Sequence, residues 1–230
     1  EFVKQNELFG QNEQLVVGVS GGADSVCLLS LLCKLREEMP FEMTVVHINH
    51  GIRKEAKEDA LFVISGTMGN LLSIMTQTRH GDELITGKNN HIITHEVGGL
   101  AALCGVMTRL VHNDNDMIYP EDIEAAMRPD DIHEPRSVLV CLENALSNGT
   151  VVPLDVMQKD YETAKRLGLN VHLDGARLFN AALALNCDVK ELAACADSVM
   201  FCLSKGLGSP MGSMICGTKE FIAKARKNRK

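Results

Sequence analysis

Asn170-Val171-His172-Leu173-Asp174-Gly175-Ala176-Arg177 is the stretch from which the architecture can be read. It opens as a short, mostly apolar run, which suits a strand covered on both faces, and it closes on an acid and a glycine. Working outward, residues 156–167 carry apolar side chains at helical spacing, while residues 137–142 and 198–203 are further buried-type strands. Strands alternating with helices of this length predict an α/β fold with a mostly parallel sheet, whose ligands bind at the carboxyl ends of the strands. Asp174 stands at such an end, although an aspartate there would serve equally as a cap.

Composition sets the outer bounds. At 230 residues the chain can form one large α/β domain or two small ones, and 45% hydrophobic with 23% charged residues excludes a disordered class. No apolar run approaches the roughly 20 residues of a spanning helix, and residues 1–10 lack the order of a signal peptide, so a cytoplasmic protein is expected. The first residue is Glu and the last residues are helix-like, so both ends read as cut from something longer. Eight cysteines without a C-x-x-C pair argue for reduced core thiols, and no metal site is expected. A net charge of −7 disfavours a nucleic-acid partner, and the basic run 224–230 reads as a solvated helical face.

Towards the amino terminus, residues 15–19 read as a strand, 20–24 as a turn, 26–35 as a helix and 43–47 as a second strand, a β-α-β unit with a parallel pair. Ser20-Gly21-Gly22-Ala23-Asp24-Ser25 sits between strand and helix, where glycine allows close approach and the helix start offers free N–H groups to a phosphate. A tight turn with an Asp/Ser cap accounts for the same residues. With Val46-His47-Ile48-Asn49-His50-Gly51-Ile52-Arg53, the string resembles the start of tRNA(Ile)-lysidine synthetases, which use ATP and magnesium. The resemblance covers about residues 10–62. It implies that Ser20, Gly21, Gly22 and Ser25 hold phosphate and that Asp24 assists the metal. Residues 53–59 are expected to open a helix, which 57–63 would continue.

Beyond residue 63, separated strings agree with a different family. They are Ser65-Gly66-Thr67-Met68-Gly69-Asn70, residues 91–99, Ile132-His133-Glu134-Pro135-Arg136, His172-Leu173-Asp174-Gly175-Ala176-Arg177, and residues 198–212. In order and spacing they resemble low-specificity threonine aldolases, pyridoxal-phosphate enzymes of fold type I. Lys205 follows an apolar strand, where burial would lower its pKa towards a nucleophilic amine, and the resemblance makes it the lysine that carries the cofactor. It further implies that Asp174 pairs with the pyridinium nitrogen, Arg177 contacts the 3-oxygen and the substrate carboxylate, and Gly66 and Thr67 bind the phosphate. His91 would stack on the ring, His133 would lie near the substrate hydroxyl, and Lys230 would approach the phosphate. A surface arginine and an ordinary helix cap remain the local alternatives for Arg177 and for Gly66 with Thr67.

The organisation expected is therefore a chimera. Residues 1–63 form a partial pyrophosphate-loop segment, and residues 64–230 an incomplete fold-type-I large domain. The resemblance implies retro-aldol cleavage of threonine or a related β-hydroxy amino acid to glycine and an aldehyde, by a homo-oligomer with shared sites. It also marks departures. Ala145-Leu146 stand where many members have Thr-His, and the family's amino-terminal arm and carboxy-terminal small domain have no counterpart, so impaired turnover is expected. An ATP-dependent tRNA-modifying fragment and a non-catalytic fusion are the alternatives.

Overall fold

The structure, a computed structural model, describes residues 14–18, 23–39, 41–46, 60–112 and 115–230. Near the amino terminus, β1 (Gln14–Gly18), α1 (Ala23–Glu38) and β2 (Glu42–Val46) follow one another, and the two strands pair in parallel with Gln14 opposite Glu42. That is the strand–helix–strand order the sequence predicts. Ser20, Gly21, Gly22, His47, His50 and the helix expected at 53–59 lie outside the described residues, while Asp24 and Ser25 fall in the first turn of α1.

The second sheet has seven strands: β3 (Ala60–Val63), β4 (Glu83–Gly87), β5 (Met107–Val111), β6 (Ser137–Glu143), β7 (Asn170–Asp174), β8 (Ser198–Cys202) and β9 (Ser213–Gly217). Their order is β3-β9-β8-β7-β6-β4-β5, and β9 alone runs antiparallel to its neighbours. The helices are α2 (Gly66–Gln77), α3 (His91–Thr94), α4 (Pro120–Ala126), α5 (Leu154–Arg166), α6 (Leu178–Leu185), α7 (Val189–Ala193) and α8 (Lys219–Asn228), with a π-helical turn at Leu100–Cys104. Among the described residues, no helix is long and apolar enough to cross a membrane.

The strands inside the sheet are buried on both faces because alternate side chains enter different layers, whereas the edge strands β3 and β5 are partly exposed. Leu84, Leu139 and Cys141 pack with Leu71 and Ile74 of α2, whereas Ile85, Val140, Leu142 and Leu173 pack with Ile123, Met157, Leu178 and Leu192 of α4 to α7. Full burial of each such aliphatic side chain contributes about 1.5–3 kcal/mol. Helix α2 approaches the sheet closely at Gly69, where an added Cβ would come within 2.5 Å of Met200 Cγ.

Two elements depart from the sequence reading. Ala60–Val63 is a strand rather than the continuation of a helix, because Leu61 and Val63 bury with Leu72, Ile215 and Ile222 while Phe62 faces outward. Strand β4, next to the β5 edge, is masked in the sequence by its leading acids. Asp82 and Glu83 are buried, yet Arg136 Nη2 lies 3.0 Å from Asp82 Oδ1 and Arg128 Nε 2.9 Å from both Glu83 oxygens. These partners answer the charge at the amino edge of the sheet.

Asp160 on α5 is an unanswered acid. It is 1% exposed, its Oδ1 has no hydrogen-bond partner, and burial, with Asp122 and Glu121 nearby, pushes its pKa up to about 8. A carboxyl whose folded pKa is raised keeps its full contribution below its unfolded value near 4 and loses it as pH rises through the folded value. The unfolding midpoint should therefore decline from about pH 4 to about pH 8, and Asp160→Asn should flatten that slope when melting is followed by circular dichroism. An unchanged slope would remove Asp160 as its source.

Candidate active site

The carboxyl edge of the parallel strands gathers one polar side chain from nearly every crossing. Asp174 ends β7 and is 3% exposed. The Asn70 amide donates to its Oδ2 at 2.7 Å, and the Ala176 backbone N–H donates to Oδ1 at 3.1 Å. Burial raises the Asp174 pKa, while these donors and the nearby His91 and Lys205 oppose the rise.

Asn70 also donates to Glu96 Oε1 at 2.8 Å, so one amide nitrogen bridges two buried carboxyls. Its orientation is set from the core. Asn70 Oδ1 lies 3.1 Å from His172 Nε2, and His172 Nδ1 lies 2.9 Å from Ser198 Oγ. Burial lowers the His172 pKa to about 4, so the ring is neutral at neutral pH. With its Nε2–H donated to Asn70, the amide must turn its NH₂ towards the acids. Asn70 and His172 escaped the sequence reading, although a polar residue inside a buried helix face or strand is a signal that a partner is required.

Glu96 follows α3. Its side chain is fully buried, Oε1 lies 3.1 Å from His91 Nδ1, and Oε2 has no hydrogen-bond partner. Burial pushes its pKa up to about 7. The Asn70 bond opposes this, Asp174 adds to it, and Thr67 and Lys205 oppose it again. His91, half-buried, begins α3 and is tied to β6 by its backbone N–H, 2.7 Å from Glu143 Oε2. Its ring stacks on His95 with centroids 5.3 Å apart. Glu143 is raised by burial and then by Asp174, against the His91 N–H and the Ser147 hydroxyl.

The remaining expected residues divide into two groups. Gly66 and Thr67 start α2, where Ser65 caps the helix by accepting from Met68 N–H, and first-turn N–H groups have no partner within the helix. Lys205 sits in the loop 203–212 between β8 and β9, which is closed by Leu203 N–H to Gly212 O at 2.9 Å and Gly208 N–H to Lys205 O at 3.0 Å. Gly212 holds φ +97°, and a Cβ there would meet Phe62 at 2.4 Å. Contrary to the expected burial, Lys205 is exposed, because β8 ends at Cys202 and the chain has already left the sheet. Its charge still reaches Glu96 and Asp174. Arg177 is exposed at the start of α6.

His133 and Lys230 are not brought to this cluster. His133 is exposed in the loop before β6, its N–H held by Asp131 Oδ1 at 2.8 Å. The seven residues of β6 separate that loop from Glu143 by roughly 20 Å. Direction is the reason, since a residue preceding a parallel strand lies at the amino edge. Lys230 is exposed beside Arg226 and Lys227 in a surface hollow on α8, and neighbouring Asn228 reaches Thr76 in the last turn of α2, the end away from Gly66.

The gathered groups fit a cofactor that needs an amine, a buried acid and phosphate donors. A metal reading is weaker. One ligand atom each from His91, Glu96 and Asp174 lies within 4.8 Å of the others, but Asp174 Oδ1 and Oδ2 and Glu96 Oε1 already accept N–H groups.

The sequence model of the beta-eliminating lyase family matches residues 41–230, beginning upstream of the seam expected near residue 60. The chain is 48% identical over 180 residues to low-specificity L-threonine aldolase 1 of Arabidopsis thaliana, covering 76% of this chain and 50% of that protein. It is 38% identical over 175 residues to low specificity L-threonine aldolase of Escherichia coli (strain K12), covering 76% and 52%. The chain thus spans about half the length of the curated relatives it matches. Among solved structures, Leishmania major threonine aldolase shares the fold, with a TM-score of 0.69 at 22% identity over 93% of this chain and 65% of that one.

The bridging amide generates a test. Asn70→Ala leaves buried oxygens of Asp174 and Glu96 short of a donor, which should cost about 1–3 kcal/mol in denaturant unfolding. Losing the donor raises both folded pKa values further, so the deficit should grow as pH rises from about 4 through about 7. Wild-type stability across that range would show that the amide does not hold the two acids.

Proposed function

The chain belongs to the beta-eliminating lyase family, and from that premise we propose that residues 64–230 are most of the large domain of a pyridoxal-phosphate-dependent aldolase. Its substrate would be threonine or a related β-hydroxy amino acid, cleaved to glycine and an aldehyde. The observation that carries the reading is the convergence at one sheet edge of an exposed lysine, a buried aspartate held by two N–H donors, and a capped helix start.

Lys205 would hold the cofactor through its amine, Asp174 would face the ring nitrogen, and Gly66 and Thr67 would hold the phosphate at the positive end of α2. When bound, pyridoxal phosphate supplies the electron sink that stabilises negative charge on the amino acid's α-carbon. The protein's part is to keep Asp174 ionised, which the Asn70 and Ala176 donors and Lys205 favour against burial. His91, anchored through Glu143, is fixed to stack on a ring or move a proton at Nε2. Arg177, exposed at the rim, is available to a carboxylate.

Within residues 1–63 we propose a separate phosphate-binding segment that ends before Ala60–Val63, which belong to the seven-stranded sheet. Its support is the parallel β1–β2 pair joined by α1; against it, the family match already begins at residue 41. Calorimetry should find ATP binding weak. Micromolar affinity that is lost in Asp24→Ala would instead establish a nucleotide site.

The aldolase reading is tested by adding pyridoxal phosphate and reducing with borohydride. The label should appear on the peptide containing Lys205, and Lys205→Ala should abolish it while changing stability by no more than about 0.5 kcal/mol, as for other exposed positions. Folded protein that takes no label, or takes it elsewhere, would overturn the assignment.

A further inference from the structure

We propose that Glu96 is the proton-carrying group of this site, sharing a single negative charge with Asp174 through Asn70 and exchanging its proton with His91. The role of the site rests on the aldolase reading above, whereas the shared charge stands on geometry alone.

Glu96 and Asp174 are both buried, and the Asn70 Nδ2 lies 2.8 Å from one and 2.7 Å from the other. Oxygens of the two acids lie within 4.8 Å. Two carboxylates that close in a water-poor site do not readily ionise together, so the pair is expected to hold one proton near neutral pH. The donors decide where it sits. Both Asp174 oxygens accept N–H groups, whereas Glu96 Oε2 accepts no N–H group, the Thr67 hydroxyl being the donor beside this acid. Asp174 therefore keeps the charge and Glu96 the proton, consistent with the Glu96 pKa of about 7.

The charged and titratable groups that face Glu96 come from several elements: His91 from α3, Asp174 from β7, Lys205 from the β8–β9 loop, Cys104 from the π-helical turn and Cys141 from β6, whose thiol burial also pushes well up. The Cys104 thiol is pushed up to about 11, chiefly by burial, and stays neutral in the working range. Only His91 combines a contact with Glu96 and partial exposure, its side chain being 29% exposed. When Glu96 is ionised, a proton taken up at His91 Nε2 releases the Nδ1 proton across the 3.1 Å contact to Glu96 Oε1, leaving the acid neutral and the ring protonated at Nε2, and the return reverses both transfers. Nothing else is consumed. A partly exposed imidazole thus connects the open edge to a buried acid whose ionised and neutral forms are close in energy.

The test uses cofactor-free protein first. In an Asp160→Asn background, which removes the raised acid of α5, infrared difference spectra from about pH 5 to about pH 9 should show a protonated-carboxyl band disappearing near pH 7. Glu96→Gln should abolish the band, while Asp174→Asn should keep it with a lower midpoint, because the like charge has gone. A band that survives Glu96→Gln, or that titrates in the ordinary carboxylate range, overturns the proposal. Should Glu96→Gln fail to fold, nitrogen NMR of wild-type His91 decides: Nδ1 should show an inflection at the band's midpoint, and its absence is equally fatal.

With cofactor and threonine, kcat should rise through about pH 7, as ionised Glu96 becomes available to accept a proton. Glu96→Gln should lower kcat by about 10²-fold and flatten that limb with KM little changed. A retained limb would exclude Glu96 from proton transfer. Failure of Lys205 labelling alongside an intact band would count against the aldolase reading and leave the shared charge in place.

Discussion

One amide nitrogen, Asn70 Nδ2, holds two buried acids at 2.7 and 2.8 Å, and the arrangement of the sheet edge follows from that bridge. An isolated buried carboxyl takes up a proton, and a pair of them without donors would both be neutral. The amide gives each acid a donor, and the Ala176 N–H gives Asp174 a second, so the two acids differ in charge although they share a neighbour. Asn70 can do this only in one orientation. A neutral His172, itself fixed by Ser198, supplies the hydrogen bond that selects it.

The two edges of the sheet treat buried charge differently. At the amino edge, Asp82 and Glu83 are paired with Arg136 and Arg128, and Arg128 also reaches Glu134, so the acids there are answered by permanent cations. At the carboxyl edge, Glu96, Glu143 and Asp174 meet amides, hydroxyls and an imidazole, with Lys205 acting from outside. Acids held by neutral donors, with raised pKa values, can change protonation, which is the property the proposed function asks of this edge.

The single antiparallel strand has a particular consequence. Because β9 returns alongside β8, the chain must reverse within residues 203–212, and the reversal carries Lys205 out of the sheet and over its carboxyl edge. A parallel crossover at this point would have led into a helix on one face and carried the lysine with it.

Much of this was legible in one dimension. Apolar runs of strand length marked β6, β7 and β8, a Ser-Gly-Thr start marked α2, and Asp174 and Lys205 fell at strand ends because those signals are local and their period is short. Ala60–Val63 and β4 were hidden, one by charged residues ahead of it and the other by its leading acids. Tertiary structure alone decided the partners. Asn70 meets Asp174 across 104 positions and His172 across 102, while His133, in a string resembling the same family, lies before β6 at the amino edge. The reason is physical: periodicity tells which face a side chain takes, but strand order, direction and register determine what stands opposite it, and these are set by packing over the whole sheet.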